Sequence, residues 1–137
     1  MSKKHFPKVK KSVRLKVYAK FDGRCAYCGE HLEYKAMQVD HIISRLRTRL
    51  GALDKGALNG ISNLNPSCRA CNYYKSAAGI ESFRKLMRGV SSRLKKLFLI
   101  KIALKYGIIS FKEWDGLFYF EKQINEWKDE KDHKVKR

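Results

Sequence analysis

The amino-acid sequence predicts a small α+β domain with helices at both ends. Apolar residues recur at helical intervals near both ends of the chain, and a short stretch between them alternates like a strand. Two CxxC motifs, separated by 39 residues, would also tie the start of the chain to its middle. A chain of 137 residues is long enough for one compact domain with a modest core.

The first thirty residues predict an arm, a helix and a pair of turns. Residues 1–11 are lysine-rich and predict a flexible basic arm. Apolar side chains recur at helical spacing over 12–21, with Ser12 as the predicted N-cap. The segment 22–30 holds the first cysteine pair between two glycines, which is typical of tight turns.

The middle of the chain predicts a strand, a loop and a short helix. The stretch AMQVDHI (36–42) has the composition and rough alternation of a strand. Residues 44–63 show no strong period and predict mostly loop. After Pro66, the second cysteine pair opens a predicted helix that ends near Gly79.

The C-terminal half predicts further helices. Helical spacing is clear over 80–87, while 93–107 is apolar almost all round and is expected to be well buried. Gly116 argues against one continuous helix over 111–127. The predicted organisation is then a core at 12–79, a helical extension at 80–128 that packs on the same domain, and a charged tail at 129–137.

The two cysteine pairs have the spacing of a tetrahedral zinc site. Two sulfurs from each of two turns fill the coordination shell, so the predicted zinc ion is structural and not catalytic. The alternatives are a redox-active CxxC motif or buried free thiols, and His31 is a possible substitute ligand. The predicted ligands are Cys25, Cys28, Cys68 and Cys71.

The charge indicates a polyanionic partner. The chain carries 31 Lys and Arg against 13 Asp and Glu, a net charge of +18, so nucleic acid is the expected partner. No apolar stretch is long enough to span a membrane, and the N-terminus does not have the apolar region of a signal peptide. We therefore expect a cytoplasmic protein, in a bacterium or a phage-infected host, where paired cysteines favour metal or redox chemistry over disulfides.

Four polar residues lie between the two cysteine pairs or directly after the second pair. Their side chains are suited to phosphodiester hydrolysis. That reaction needs a base for water and a cation for the charge on phosphate. A histidine titrates near neutral pH, and carboxylate or amide oxygens suit Mg²⁺ or Mn²⁺. The candidate residues are Asp40, His41, Asn63 and Asn72.

The order of these motifs resembles the HNH endonuclease family: CxxC, Asp-His, Asn-Leu, then CxxC followed directly by Asn, with a lysine three residues later. The resemblance covers roughly residues 20 to 76, and extends more loosely toward small phage-encoded HNH proteins. It implies a ββα-metal core, in which a two-stranded hairpin and a helix hold one divalent ion. It also implies a zinc-stabilised, metal-dependent DNA endonuclease.

Carried over by motif position, His41 resembles the general base and Asp40 a metal ligand. Asn63 resembles the asparagine that braces the loop and orients the histidine. Asn72 stands where the motif ends in histidine, as the second protein ligand to the metal. An asparagine there leaves an all-oxygen ligand set, which favours Mg²⁺ or Mn²⁺ over zinc or nickel.

One geometric difficulty concerns the adjacent pair, Asp40 and His41. Neighbouring residues on a regular strand point to opposite faces, so both reach one phosphate only if the strand ends or bends there. The helix is more favourable, because Asn72 and Lys75 share one face and the cysteines share the next. Structural zinc and a catalytic ion are therefore expected on neighbouring faces of one helix.

Basic side chains near the motif are candidate DNA contacts, with a solvated surface position as the alternative for each. The candidates are Arg45, Arg47, Arg49, Arg69 and Lys75. The expected partner is double-stranded DNA, while a homodimer or a phage protein partner is open. The main alternative function is a non-catalytic, zinc-dependent DNA- or RNA-binding module, and a thiol redox protein is a third.

Overall fold

The computed structural model describes residues 8–44 and 58–124. Within these ranges it combines helices with a small two-stranded antiparallel sheet, which confirms the α+β prediction. The elements are α1 (Lys11–Ala19), β1 (Gln38–His41), a 3₁₀ turn (Ile61–Asn63), β2 (Leu64–Ser67), α2 (Arg69–Lys75), α3 (Ile80–Arg88), α4 (Val90–Leu94), α5 (Phe98–Lys105) and α6 (119–124).

The chain divides into two compact units. The first unit comprises residues 1–77 together with 118–137, and the second comprises residues 78–117. Residues 118–124 therefore belong to the unit that holds the cysteines, the sheet and α2.

The sheet includes a strand whose position the residue pattern did not predict. β2 pairs antiparallel with β1, and Pro66 lies opposite Val39. Proline has no N–H for a sheet ladder, but the carbonyl oxygen of Pro66 accepts from the Ala26 N–H at 2.8 Å, on the side away from β1. The N and O of one residue point to the same side of a strand, so the missing N–H removes no bond to β1.

α1 fixes the start of β2. The helix begins one residue before Ser12, and its N-cap is Lys10, without a side-chain hydrogen bond, so the Ser12 cap prediction is wrong. Val17 is fully buried beneath the helix. Just past its C-terminal end, the Lys20 ammonium donates to the Leu64 carbonyl oxygen at 2.8 Å, and burial lowers the pKa of Lys20. This bond ties α1 to the strand that leads into α2.

Aromatic residues beyond Gly116 complete the first unit. The chain is not helical from 111 to 118, so the interruption predicted at Gly116 is confirmed. Phe118 is 3% exposed, and its ring lies edge-on to Tyr27 at a centroid distance of 5.5 Å. Gly29 has a φ of +80°, and a Cβ there would lie 2.8 Å from the Tyr119 ring, so both backbone and packing require glycine.

The prediction that 93–107 is one well-buried helix is wrong. The chain turns at 95–97 between α4 and α5, and Phe98 and Leu99 on α5 are 77% and 76% exposed. An all-round apolar pattern predicts burial only where another element covers the helix. Among the described residues, none of the helices is both long and apolar enough to cross a membrane.

Candidate active site and metal centre

The four predicted cysteine ligands converge in the first unit. Their Sγ atoms all lie within 4.8 Å of one another, and the Sγ atoms of Cys28 and Cys68 are 4.0 Å apart. Four sulfurs at the corners of a tetrahedron around zinc, each about 2.3 Å from the metal, lie about 3.8 Å from each other. Cysteines from the first turn and from the start of α2 thus form a compact four-sulfur cluster with the spacing of a metal site, and His31 is not part of it.

Backbone N–H groups point at these sulfurs. The N–H of Cys68 donates to Cys25 Sγ at 3.4 Å, and the N–H of Cys71 donates to Cys68 Sγ at 3.3 Å. Cys68 is thereby the N-cap of α2, with sulfur as the capping atom. N–H donors favour thiolate over thiol, so these two hydrogen bonds favour negatively charged sulfur at Cys25 and Cys68.

The thiols do not ionise together without a cation. A hydrogen bond with Cys71 is the largest cause that lowers the pKa of Cys25 to about 4. Burial is the largest cause that raises the pKa of Cys28 to about 12, and the same bond with Cys25 raises the pKa of Cys71. Four thiolates at this spacing therefore need a divalent ion to offset their repulsion.

The neighbouring face of α2 carries a buried ion pair. Lys75 is completely buried, and its Nζ lies 3.0 Å from Asp40 Oδ2 and 3.2 Å from Oδ1. The same ammonium donates to the His41 carbonyl oxygen at 3.3 Å. A lysine that was expected to contact DNA has instead a carboxylate and a backbone oxygen as its partners.

Tyr27, which lies between Cys25 and Cys28 in the chain, contacts the same ion pair. Its hydroxyl donates a short hydrogen bond to Asp40 Oδ2. Burial is the main cause that raises the pKa of Tyr27, and the negative charge of Asp40 adds to it. The carboxylate is 5% exposed and is neutralised by protein groups, so a divalent ion at Asp40 would lie close to an ammonium.

His41 points to a different partner from Asp40. Its Nε2 lies 2.8 Å from Asn59 Oδ1, and its side chain is half-buried. The two adjacent residues therefore have the separate surroundings that strand geometry requires. An amide oxygen only accepts, so with this amide orientation Nε2 carries the proton and Nδ1 keeps the lone pair.

Asn63 forms side-chain hydrogen bonds to Ile43, just after β1, and to Leu58. Its Oδ1 accepts from the Ile43 N–H at 2.8 Å, and its Nδ2 donates to the carbonyl oxygens of Leu58 at 2.9 Å and Ile43 at 3.2 Å. Its own carbonyl oxygen accepts from the Ile42 N–H at 2.9 Å. Three contacts within two residues of His41 hold the backbone on which that histidine sits.

Asn72 contacts the same face of β1 as Lys75. Its Nδ2 donates to Gln38 Oε1 at 2.6 Å. Gln38 and Asp40 are two residues apart on the strand, and Asn72 and Lys75 are three apart on the helix, so the two contacts lie side by side. The predicted ligands Asp40 and Asn72 thus belong to one strand–helix interface.

Of the remaining predicted DNA contacts, the structure describes only Arg69. Arg69 lies on the first turn of α2 and is exposed. Arg45, Arg47 and Arg49 lie outside the described residues.

Three site residues were not identified from the sequence. Tyr27 had no motif of its own, since only the fold brings it to Asp40, thirteen residues away. Asn59 belongs to an Asn-Gly pair, which indicates a turn and not a histidine partner. Gln38 was included only as part of a strand, although its position two residues before Asp40 placed it on the same face.

Part of the chain matches a family model. Residues 25–77 match the family model described as HNH endonuclease, which confirms the resemblance seen in the sequence. The antiparallel strands and α2 also confirm the ββα arrangement that this resemblance implies.

The crystal structure of the Type II-C Cas9 enzyme from Actinomyces naeslundii is similar to this chain at 27% identity, with a TM-score of 0.40. The aligned region covers 53% of this chain but only 7% of that one. No curated protein matches the chain.

Proposed function

We propose that the segment matching the HNH endonuclease family, residues 25–77, is a metal-dependent endonuclease that hydrolyses phosphodiester bonds in double-stranded DNA. The family match is the observation that carries the proposal. The net charge of +18 supports a polyanionic substrate.

In this proposal the four cysteines hold one structural Zn²⁺. The sulfur spacing and the N–H···S bonds fit a tetrahedral thiolate site. Such a site has no open position for substrate, so zinc fixes α2 relative to the first cysteine turn and takes no part in cleavage.

His41 is the proposed general base. Its Nε2 is engaged by Asn59, which leaves the Nδ1 lone pair to take a proton from water. The Lys75 bond to the His41 carbonyl and the Asn63 bonds to the next two residues keep the imidazole in place. Asn63 is therefore proposed as a positioning residue.

Asp40 and Asn72 are the proposed ligands for Mg²⁺ or Mn²⁺. Both residues offer the oxygen atoms that these ions prefer. Asp40 supplies carboxylate oxygens. Asn72 supplies its amide oxygen, because its Nδ2 already donates to Gln38. When bound, such an ion stabilises negative charge on the phosphate and on the leaving oxygen. Because Asp40 is paired with Lys75, the ion must compete with an ammonium for this carboxylate. Arg69, with Arg45, Arg47 and Arg49, is proposed to contact the DNA backbone.

A plasmid-nicking assay with His41→Ala tests this function. Loss of a general base commonly lowers the rate about 10²–10⁴-fold, so the variant should lose nicking while its zinc content and unfolding transition stay unchanged. His31→Ala is the matched control, since His31 is exposed and outside the cysteine cluster. Nicking by His41→Ala at the wild-type rate would contradict the mechanism.

The ion pair of Asp40 with Lys75 favours a second candidate, a zinc-dependent DNA-binding module without catalysis. A carboxylate that is already neutralised has no need for a metal ion. The same assay separates the two candidates, because a binding module retards the plasmid and leaves it uncut in Mg²⁺ and in Mn²⁺.

A further inference from the structure

α5 in the second unit exposes large apolar side chains. Phe98, Leu99 and Tyr106 are 77%, 76% and 78% exposed. Single exposed apolar residues are ordinary, but three bulky ones on one short helix and its C-cap form a patch.

These side chains lie beside lysines along one half of the helix. At 100° per residue, Phe98, Lys101 and Lys105 share a face, and Leu99 and Tyr106 share the adjacent face. The opposite side, at Ile100, Ala103 and Leu104, is partly buried, and so is Ile102, which lies between Phe98 and Tyr106 around the helix. We call the exposed side the basic–aromatic stripe; it consists of Phe98, Leu99, Lys101, Lys105 and Tyr106.

The charge around the stripe has one sign. Residues 95–110 contain four lysines and no acidic residue. Lys101 and Lys105 are both exposed. A surface that is basic and apolar is complementary to a partner with negative charges and flat apolar groups at close spacing.

Single-stranded DNA has both features. Its phosphates match the lysines, and its unpaired bases offer faces on which aromatic rings stack. Duplex DNA offers the phosphates, but its base faces are covered by stacking and are not available to Phe98 or Tyr106.

We propose that the basic–aromatic stripe binds single-stranded DNA, with Phe98 and Tyr106 stacking on bases and Lys101 and Lys105 contacting phosphates. The inference rests on the proposed function only in taking DNA as the polyanion. It does not require that the chain cleaves DNA.

Fluorescence anisotropy with a labelled single-stranded oligonucleotide and its duplex tests the stripe. The full chain carrying His41→Ala serves as the reference, so that cleavage does not disturb the measurement. Phe98→Ala and Tyr106→Ala should each weaken single-strand binding by about fivefold or more, with a smaller effect on the duplex. Phe98→Tyr keeps an aromatic ring and should retain binding.

Leu15→Ala is the control for a lost exposed apolar side chain, because Leu15 on α1 is 49% exposed and lies outside the stripe. Unchanged single-strand binding by Phe98→Ala and Tyr106→Ala overturns the proposal, as does an equal loss on duplex. The proposal is also overturned if these variants lose only binding to anionic phospholipid vesicles, or only self-association measured by light scattering.

The proposed function can fail separately from this inference. If wild-type protein cuts no plasmid but single-strand binding depends on Phe98, the nuclease proposal fails and the stripe stands. If Phe98→Ala nicks plasmid normally and binds single strands normally, the stripe proposal fails and the nuclease proposal stands.

Discussion

The two sides of α2 balance charge in different ways. On one side, Cys68 and Cys71 join two further cysteines in a cluster of sulfurs that needs a metal ion to be fully ionised. On the other, the Asp40 carboxylate already has the buried ammonium of Lys75 at 3.0 Å. One side of this short helix therefore depends on a metal ion for charge balance in our proposal, whereas the other side has its own cation, the Lys75 ammonium.

This difference indicates which part of the site depends on metal for its structure. If the cysteines hold zinc as proposed, its removal takes away both their charge balance and a cross-link, so the helix loses an anchor. The carboxylate side is already paired and hydrogen bonded without any ion. We expect the first ion to be required for folding and the second only for chemistry.

Cys71→Ser should have the largest effect, because it removes one of four ligands. Zinc binding contributes on the order of 10–16 kcal/mol in small zinc domains, which is comparable to or larger than the whole stability of a typical domain. The variant should lose bound zinc and the cooperative unfolding of the first unit, measured by elemental analysis and circular dichroism. His31→Ala should keep both, and a folded, zinc-free Cys71→Ser protein would show that the cluster does not anchor the fold.

Lys75→Met should have the next largest effect. It leaves Asp40 buried without its counter-ion, which typically costs about 3–5 kcal/mol in the free energy of unfolding. Urea denaturation of zinc-loaded protein measures this loss, and the double variant with Asp40→Asn should recover most of it because no buried charge is left. Arg69→Met, an exposed change on the same helix, should stay within about 0.5 kcal/mol of wild type.

The same variant sharpens the comparison for the second ion. If Mn²⁺ competes with Lys75 for Asp40, Lys75→Met should bind Mn²⁺ more tightly than wild type in a titration without DNA. Equal or weaker Mn²⁺ binding would mean that the ion does not share this carboxylate with the lysine.

The cysteine side was more predictable from the sequence than the carboxylate side. The spacing of the two CxxC motifs specifies a local geometry that metal ligation requires, so all four clustered cysteines were identified from the sequence. The Asp40–Lys75 pair depends on how β1 packs against α2. A lysine on a helix is usually exposed, so nothing local indicated that Lys75 is buried.

The unpredicted parts of the fold have the same origin. β2 contains Pro66, which is unfavourable in a strand unless its nitrogen faces away from the ladder, as it does here. α5 was expected to be buried because it is apolar almost all round, but an apolar pattern does not indicate whether a neighbour covers it. Local sequence patterns predicted the type of most helices and strands. The burial of side chains and the pairing of strands depend on tertiary contacts that such patterns do not show.

Tyr27→Phe should have the smallest effect, and it depends on pH. The pKa of Tyr27 is raised by burial, so in the folded protein its hydroxyl stays protonated above pH 10, where an unfolded tyrosine ionises. Wild-type stability should therefore fall as pH rises above about 10, by up to about 1.4 kcal/mol per pH unit from this group. Urea denaturation from pH 8 to 11 should show a shallower decline for the variant, and identical slopes would contradict the assignment.

The most direct measurement is a metal add-back on chelator-treated protein, following folding by circular dichroism and plasmid nicking in the same sample. We predict that Zn²⁺ alone restores the fold without nicking, and that Mg²⁺ or Mn²⁺ restores nicking only after zinc. Full recovery of both fold and nicking with a single kind of ion would contradict an account in which α2 presents a structural ion and a catalytic ion on separate sides.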